Sequence, residues 1–357
     1  MTILGIDHVE LYVGDLEKSA AELCRDFGFR TDPRADAAGS RSVLLRQGRV
    51  RLLLTAGDTP GHPAAGFVKR HGDGVASIAF RVDDVRRAFD EAVAGGAEPL
   101  AAPAVAGPGG DLAMEGGLAC EAVVSGFEDV THRLVARDAP AGEEDAAGYQ
   151  DGDLFEDLDH AAICLRPGQL EAVVGFYSSA FGLTYTFDER IEVGGQAMVS
   201  RVVQNQTGTV TFTLLEPDPE REPGQIDQFL AAHDGAGVQH LALRTAGIVQ
   251  AVRTLSARGV EFLTAPAGYY RALEGRLGGF DIPVDVLREV NVLADRDQWG
   301  QLFQIFSHST HERRTFFFEL IERRGARTFG SGNIRALYEA LDETLDDDAQ
   351  TSPVPRS

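Results

Sequence analysis

Two histidines and one glutamate lie in strand-like segments at nearly equal separations along the chain. His160 opens the alternating segment DHAAICL, His240 lies in VQHLAL, and Glu319 lies within the apolar run TFFFELIER. The alternation of apolar residues predicts that these side chains project from the faces of strands. A carboxylate among aromatic and aliphatic residues is costly to bury unless a cation or hydrogen-bond donors compensate its charge. The three residues therefore indicate a cation site.

Two imidazoles and one carboxylate, with coordination positions left open, are the ligand set of non-haem Fe(II) oxygenases. Separations of 80 residues from His160 to His240 and 79 residues from His240 to Glu319 fit ligands on different strands of one curled sheet. The alternative for each histidine is a hydrogen-bonded residue of the core, and for the glutamate a strand-edge residue that faces water. For a single buried histidine the structural role is the commoner one.

An internal repeat organises the elements that must position these residues. Residues 5–30 and 157–184 share an Asp-His pair, an alternating strand, a helical pattern and a closing Phe-Gly, and residues 71–98 resemble 233–261. Two copies of a strand–helix–strands module predict the α+β class, with mixed, largely antiparallel sheets and helices outside them. At the positions of the repeat that correspond to His160, His240 and Glu319, the first half has His8, Ser77 and Arg133. We therefore expect one metal site, in the second half, with His8 as a structural remnant.

The pattern predicts the domain boundaries and the local elements. We expect an N-terminal domain without a metal site over residues 1–137, an acidic linker over 138–156, a catalytic domain over 157–345 and a disordered acidic tail over 346–357. Alternating runs predict single strands over 42–55 and 121–136. Pro and Gly predict loops over 103–117 and 266–283. Helical spacing after FGSGN predicts a closing helix over 332–345.

Composition excludes several classes of protein. The 357 residues carry a formal net charge of −22, so phosphate backbones would repel the chain and nucleic acid is a poor partner. No apolar run approaches the roughly 20 residues of a membrane span, and the N-terminal residues do not resemble a signal peptide. Three widely spaced cysteines exclude a disulfide scaffold and a CxxC zinc site. A reducing, cytoplasmic location is the expectation.

Five motifs in this order, LDH, GVQH, GQLFQIF, FFFELIER and FGSGNI, resemble one family over nearly the whole chain. This is the family of 4-hydroxyphenylpyruvate dioxygenase and 4-hydroxymandelate synthase, in the vicinal-oxygen-chelate superfamily. The resemblance implies two tandem domains of duplicated βαβββ modules and a closing C-terminal helix. It also implies an Fe(II) cofactor and, as substrates, 4-hydroxyphenylpyruvate and O₂.

The resemblance also implies roles for the residues around the metal. The polar side chains that it assigns to catalysis and substrate binding are Ser200, Gln225, Gln239, Gln304 and Asn333. The side chains that it assigns to the substrate pocket are Thr213, Leu215, Phe306, Phe317, Phe329 and Ile334. Amide and hydroxyl donors suit an anionic keto acid, and aromatic walls suit a phenol ring, although phenylalanines on strands are more commonly plain core.

Three positions depart from the dioxygenase pattern. The dioxygenase strand typically reads Phe-Pro-(aliphatic)-Asn-Glu-Pro, where this chain has Thr213 for Pro and Leu215 for Asn, and the motif FGxGNF ends here in Ile334. These exchanges favour benzylic hydroxylation to 4-hydroxymandelate, an activity that goes with antibiotic biosynthesis, over ring hydroxylation to homogentisate.

Three other interpretations stay open. They are the homogentisate-forming dioxygenase of tyrosine degradation, an extradiol dioxygenase, and a metal-free binding protein of the same fold. The first half has free sheet surface, so a homodimer is also an expectation.

Overall fold

The computed structural model shows two halves of the chain that repeat one topology. It describes residues 1–32, 35–37, 39–104, 118–137, 150, 152–265, 268–330, 332–333 and 335. The strands of the first half are β1 (Ile3–Tyr12), β2 (Arg30–Thr31), β3 (Ala35–Ala37), β4 (Ser40–Gln47), β5 (Val50–Gly57), β6 (Gly74–Val82), β7 (Pro99–Ala104), β8 (Leu118–Ser125) and β9 (Thr131–Arg137). Its helices are α1 (Leu16–Glu22), continued by a π-helical turn (Leu23–Phe27), α2 (Pro63–His71) and α3 (Val85–Ala94).

The second half has the same plan with additional helices. Its strands are β10 (Asp157–Cys164), β11 (Thr184–Val193), β12 (Gln196–Gln204), β13 (Thr211–Pro217), β14 (Gly237–Arg244), β15 (Leu293–Arg296), β16 (Gln301–Phe306) and β17 (Phe317–Arg324). Its helices are α4 (Leu170–Phe181), α5 (Gln225–His233), α6 (Ile248–Ala257), α7 (Tyr269–Leu277) and α8 (Val284–Glu289).

Each half folds into one mixed sheet with an equivalent strand order. The second sheet runs β11-β12-β13-β10-β14-β17-β16-β15, with β10 parallel to β13 and β14 parallel to β17. The first runs β2-β4-β5-β1-β6-β9-β8-β7, with β3 paired to β4, β1 parallel to β5 and β6 parallel to β9. The predicted α+β class and duplicated modules are confirmed. The strands that carry the three candidate ligands, β10, β14 and β17, are neighbours in the middle of the second sheet.

Local chemistry sets the ends of the helices that flank these sheets. The side chain of Asp84 accepts the backbone N–H of Arg87 at the start of α3, as an N-cap does. Helix α4 ends at Gly182, whose φ of +65° is the left-handed conformation that glycine adopts most readily. Before α5, the Gly224 N–H donates to the Asp227 carboxylate at 2.7 Å. This bond fixes the turn that presents Gln225 as the first residue of α5.

One apolar core extends through both halves and encloses His132. This ring stacks on Phe80 of the first sheet at 4.6 Å, and Phe212 of the second sheet lies 6.2 Å away. Burial lowers the pKa of His132 to about 4, so the imidazole is neutral. Its Nδ1–H donates to the Ile78 carbonyl and its Nε2 accepts from the Tyr177 hydroxyl, each at 3.0 Å. At this point the contact between the halves is therefore an aromatic stack around one fully bonded polar group.

Several local predictions were wrong. The segment 42–55 is a hairpin, because the chain reverses at Gly48, where φ is +54°. The segment 121–136 is likewise two strands, β8 and β9, which pair in antiparallel fashion. Helix α7 replaces half of the loop predicted over 266–283, because Tyr269, Tyr270 and Leu273 bury one of its faces.

The acidic segment between the halves packs against the protein at its C-terminal end. Phe155 is fully buried, and Asp153 forms an ion pair with Arg30 and accepts the Gly48 N–H at 3.1 Å. Residues 138–149, the tail 346–357 and most of the predicted closing helix, from 336 onward, lie outside the described residues. Within the part of the chain that is described, no helix has both the length and the apolar character needed to cross a membrane.

Candidate metal centre

The three predicted ligands meet beneath the middle of the second sheet. The Nε2 atoms of His160 and His240 each lie 3.3 Å from the same Oε2 atom of Glu319. All three residues are buried, and their ligand atoms lie within 4.8 Å of one another. Strand register explains the convergence, because Ala242 pairs with His160 on one side and with Glu319 on the other.

Hydrogen bonds at the far side of each imidazole set the tautomer that a metal requires. His160 Nδ1 donates to Asp159 Oδ1 at 2.9 Å, and His240 Nδ1 donates to Gln239 Oε1 at 3.2 Å. With both Nδ1 atoms engaged in this way, the two Nε2 atoms face Glu319. Such outer-shell bonds orient ligating histidines and raise their basicity.

Sequence reasoning missed Asp159 and Arg323 as members of this site. Arg323 donates to both carboxylate oxygens of Asp159, at 2.8 Å for each bond, and so fixes the carboxylate that holds His160. Two signals were available. The Asp-His pair recurs in both halves, and Arg323 lies four residues beyond Glu319 on the same strand face.

The electrostatics of the site favour a bound cation. Burial alone would raise the pKa of Glu319, but the charge of His160 and hydrogen bonds from both histidines lower it to about 2. Burial alone would lower the pKa of His160, yet the charge of Glu319 and the bond to Asp159 raise it to about 9. Burial lowers the pKa of His240. Glu319 and His160 therefore each favour the charged form of the other, and a positive charge at this point stabilises the buried carboxylate.

Three predicted pocket residues form aromatic walls around the ligands. Phe317 stacks on His240 with ring centroids 5.1 Å apart, and Phe306 meets the same ring edge-on at 5.9 Å. Phe329 meets His160 edge-on at 5.1 Å. The structure therefore brings Phe306, Phe317 and Phe329 to the metal ligands.

Register places three further predicted residues on the same sheet face. Thr213 pairs with Ala162, which in turn pairs with His240. Leu215 pairs with Ser200 on the neighbouring strand. Cross-strand partners point to the same face of a sheet, so Ser200, Thr213 and Leu215 lie on the face that carries the ligands. Leu215 joins a small apolar cluster with Ile191, Met198, Ile226 and Phe229.

Gln304 contacts the metal ligand Glu319 directly. Its Nε2 donates to Glu319 Oε1 at 2.7 Å, and its Oε1 accepts from Asn333 Nδ2 at 2.9 Å. Both ends of the Gln304 amide are therefore engaged by protein groups. Ile334, predicted beside Asn333, lies outside the described residues.

A cavity of about 630 Å³ adjoins His240 through two residues that contact its ring, Gln239 and Phe317. Its lining also includes Gln225, Glu261, Arg313 and Arg314. The Nε2 atom of Gln225 is buried and has no hydrogen-bond partner among the described residues. The cavity therefore offers an amide donor, and two arginines lie on its wall.

The first half retains the outer shell of this site but only one counterpart of the three ligands, His8. Register aligns Ser77 with His240 and Arg133 with Glu319, as the repeat predicted. His8 Nδ1 still donates to Asp7 at 2.7 Å, and Arg137 still holds Asp7 through two nitrogens. No second cluster of metal ligands occurs among the described residues.

In the first half an ion pair lies at the position that corresponds to the candidate metal site. Arg133 reaches Glu10 at 3.3 Å, and Glu10 also accepts the Thr55 hydroxyl at 2.8 Å. Register aligns Glu10 with Ala162 of the second half, so the carboxylate here comes from a different strand than Glu319 does.

The donor set in the second half fits a divalent metal. Two neutral Nε2 donors and one carboxylate oxygen converge in a buried, aromatic-walled site, and they would occupy one side of an ion and leave its other positions open. The proton on His160 is the group that a cation would displace.

Comparisons with known proteins agree with this geometry. The family model described as "Glyoxalase/Bleomycin resistance protein/Dioxygenase superfamily" matches residues 5–114 and 157–305. The chain is 32% identical to 4-hydroxyphenylpyruvate dioxygenase from Danio rerio, over 96% of this chain and 91% of that protein. It is 31% identical to the Xenopus tropicalis dioxygenase of the same name, over 96% and 92%. A solved triple mutant of 4-hydroxymandelate synthase from Streptomyces coelicolor superimposes with a TM-score of 0.86 at 44% identity, over 97% of this chain and 100% of that chain.

Proposed function

Because the chain belongs to the glyoxalase, bleomycin resistance protein and dioxygenase superfamily, and within it to the 4-hydroxyphenylpyruvate dioxygenase family, we propose that it is an Fe(II)-dependent oxygenase that forms 4-hydroxymandelate. In this reaction 4-hydroxyphenylpyruvate and O₂ give 4-hydroxymandelate and CO₂. The observation that carries the proposal is the convergence of His160, His240 and Glu319 on one point in a buried site.

The three ligands would hold the iron, which when bound supplies the activation of O₂ that the organic side chains lack. The protein contributes position. Asp159 and Gln239 hold the two imidazoles in their ligating orientation, and Gln304 occupies one oxygen of Glu319 so that the other faces the histidines. Three ligands leave room for a chelating keto acid and O₂ together.

The cavity beside His240 supports an anionic substrate. At a formal net charge of −22 the protein as a whole repels a carboxylate, whereas the lining of this cavity carries Arg313 and Arg314 against the single acid Glu261. Gln225 and Gln239 add amide groups on the same wall. We propose this cavity as the route by which the keto acid approaches.

The aromatic walls suit a phenol ring and limit where it can lie. Phe317 and Phe306 flank His240, and Phe329 flanks His160. Rings at these positions would flank a flat aromatic group bound at the ligands and would keep water from the reacting centre. Which carbon of the substrate lies nearest the metal then decides the product, because both products start from the same bound reactants.

Leu215 supports the benzylic outcome. Where the resembling dioxygenases carry an asparagine, this chain places a leucine among Ile191, Met198, Ile226 and Phe229. At this position the chain therefore has no amide that could hold the phenol. The 44% identity to the 4-hydroxymandelate synthase structure points the same way, against 31–32% for the two dioxygenases.

A substrate deuterated at its four ring C–H positions separates the two products. Benzylic hydroxylation leaves the ring untouched, so 4-hydroxymandelate should keep all four deuteriums. Homogentisate formation moves the side chain to a neighbouring ring carbon and must release one. Ring positions are preferable to benzylic ones, which exchange with water through the enol of the keto acid. A purified product with three deuteriums would overturn the proposal and establish homogentisate formation.

Restoring the amide tests the role of Leu215. We expect Leu215→Asn, alone and with Ile334→Phe, to shift part of the product toward homogentisate, because about 1.4 kcal/mol of altered positioning changes a product ratio about tenfold. Leu215→Met, which keeps an apolar side chain of similar volume, is the matched control and should keep the original product. Equal product ratios in the Asn and Met variants would contradict this role.

The ring-hydroxylating dioxygenase is the second candidate, because the curated relatives of 31–32% identity carry that name. A metal-free binding protein would bind the keto acid without consuming O₂. Metal analysis together with O₂ uptake in the presence of 4-hydroxyphenylpyruvate distinguishes that case from both enzymes.

A further inference from the structure

A chain of hydrogen bonds leads from the metal ligand Glu319 to a tyrosine on helix α7. Gln304 Nε2 donates to Glu319 Oε1 at 2.7 Å, and Asn333 Nδ2 donates to Gln304 Oε1 at 2.9 Å. The Tyr269 hydroxyl lies 2.8 Å from Asn333 Oδ1, and the Ala294 N–H donates to the tyrosine oxygen at 2.8 Å. All four side chains are buried, Asn333 completely.

The chemistry of the groups fixes the direction of the chain. An ionised carboxylate only accepts hydrogen bonds, so Gln304 must turn its amino group toward Glu319. Its carbonyl can then only accept from Asn333, whose own carbonyl needs a donor, and Tyr269 supplies one. The backbone N–H of Ala294 at the far end only donates. The Tyr269 hydroxyl oxygen also lies 2.9 Å from the carbonyl oxygen of Ala294. The hydroxyl proton is therefore shared between two acceptors, this carbonyl and that of Asn333.

We propose that Tyr269 is a positioning residue for the metal centre. It fixes the Asn333 carboxamide, and through Asn333 and Gln304 it keeps Glu319 Oε1 bonded while Oε2 faces both histidines. Bonds aligned in one direction polarise one another, so the loss of one weakens the rest. The proposal rests on metal binding by the three ligands and is independent of which product the enzyme forms.

The neighbouring tyrosine separates this role from packing. Tyr270 is buried on the same helix, and its ring meets that of Tyr269 edge-on with centroids 4.9 Å apart. Its hydroxyl donates to the Val292 carbonyl at 3.2 Å and takes no part in the chain to Glu319. Loss of either hydroxyl removes a buried hydrogen bond from the same helix, but only that of Tyr269 is connected to the metal ligand.

The test compares Tyr269→Phe with the matched control Tyr270→Phe by titrating each metal-free protein with Fe(II) under nitrogen, and with Co(II) as an air-stable probe. Outer-shell changes typically weaken metal binding about 10- to 100-fold. We expect a loss of at least the lower figure in Tyr269→Phe and an unchanged dissociation constant in Tyr270→Phe. Combining Tyr269→Phe with Gln304→Leu should add little to the loss in Gln304→Leu alone, because both act through one chain.

Three outcomes are decisive. If the unmodified protein binds neither metal, the proposed function fails before this inference is reached. If the unmodified protein binds metal and the two tyrosine variants bind it equally well, or if the double variant shows the sum of the separate losses, the inference is wrong. Should Tyr269→Phe not fold, Asn333→Asp takes its place, because a carboxylate cannot donate to Gln304. Retention of the original metal affinity in that variant would equally refute the proposal.

Discussion

The change Asp159→Asn tests whether the outer shell of the second half controls the metal. Asp159 accepts one bond from His160 and two from Arg323, all between 2.8 and 2.9 Å. Burial alone would raise the pKa of this carboxyl, but the Arg323 charge and bonds from His160 and Arg323 hold it well below its usual range. Asparagine keeps the shape, removes the charge, and turns an N–H toward one of the donors.

The expected magnitudes follow from those contacts. Loss of an outer-shell partner weakens metal binding about 10- to 100-fold, which corresponds to about 1.4 to 2.7 kcal/mol. Separately, breaking a buried ion pair costs roughly 3 to 5 kcal/mol of folding stability when one partner is left unpaired. Asparagine retains one acceptor for Arg323, so we expect the loss of stability to fall below that range.

The internal repeat supplies the control for this experiment. Asp7 makes the same bonds to His8 and Arg137 in the first half, where the ligand positions hold Ser77 and Arg133. Asp7→Asn should therefore lower the unfolding midpoint in urea by a similar amount and leave metal affinity unchanged. Isothermal titration of both metal-free variants with Co(II) measures the difference. Equal metal affinities in the two variants would show that the Asp-His pair serves the fold alone.

Further expectations concern the ligands and the pH dependence. Turnover should be abolished and bound iron lowered in each of the variants His160→Ala, His240→Ala and Glu319→Ala, whereas His8→Ala should keep both. Iron analysis and O₂ uptake measure these effects. An equal loss from His8→Ala would refute the single-site assignment. Metal affinity should rise with pH up to about 9, because the ion displaces the proton whose pKa is raised on His160, and a weakly buffered titration should record its release. The free energy of unfolding should fall as pH drops from about 6.5 to 4, by up to about 1.4 kcal/mol per pH unit. The reason is that the His132 imidazole takes up a proton at a higher pH in the unfolded chain than in the buried site. Urea unfolding at about pH 6.5 and about pH 5 should show a flatter pH dependence for His132→Phe.

The metal ligands were predictable because charged and titratable residues are unusual in apolar strand segments. A glutamate inside TFFFELIER and histidines on alternating strands need a partner, and register then brought them together as expected. The first-half counterparts Ser77 and Arg133 were predictable because a repeat keeps its register. The roles of Ser200, Gln225 and Asn333 toward a substrate stay predictions.

What sequence reasoning missed depends on contacts between distant segments. The bond from Gln304 to Asn333 and the one from Tyr269 to Asn333 join residues separated by 29 and 64 positions, and no local pattern encodes them. The hairpin at Gly48 was marked by a glycine within a strand pattern, a signal of a turn that the alternating run on either side obscured. Helix α7 was not predicted because glycines and prolines lie nearby, although its buried residues Tyr269, Tyr270 and Leu273 follow helical spacing.

The ion pair between Arg133 and Glu10 makes the two halves differ in how their charge balance depends on a metal. Each half buries a carboxylate beneath its sheet, and each needs a positive counterion there. The first half supplies this counterion from its own chain, as the guanidinium of Arg133. In the second half the counterion would be the bound ion. Removal of the metal would therefore leave the charge balance of the first half unchanged and alter that of the second half only.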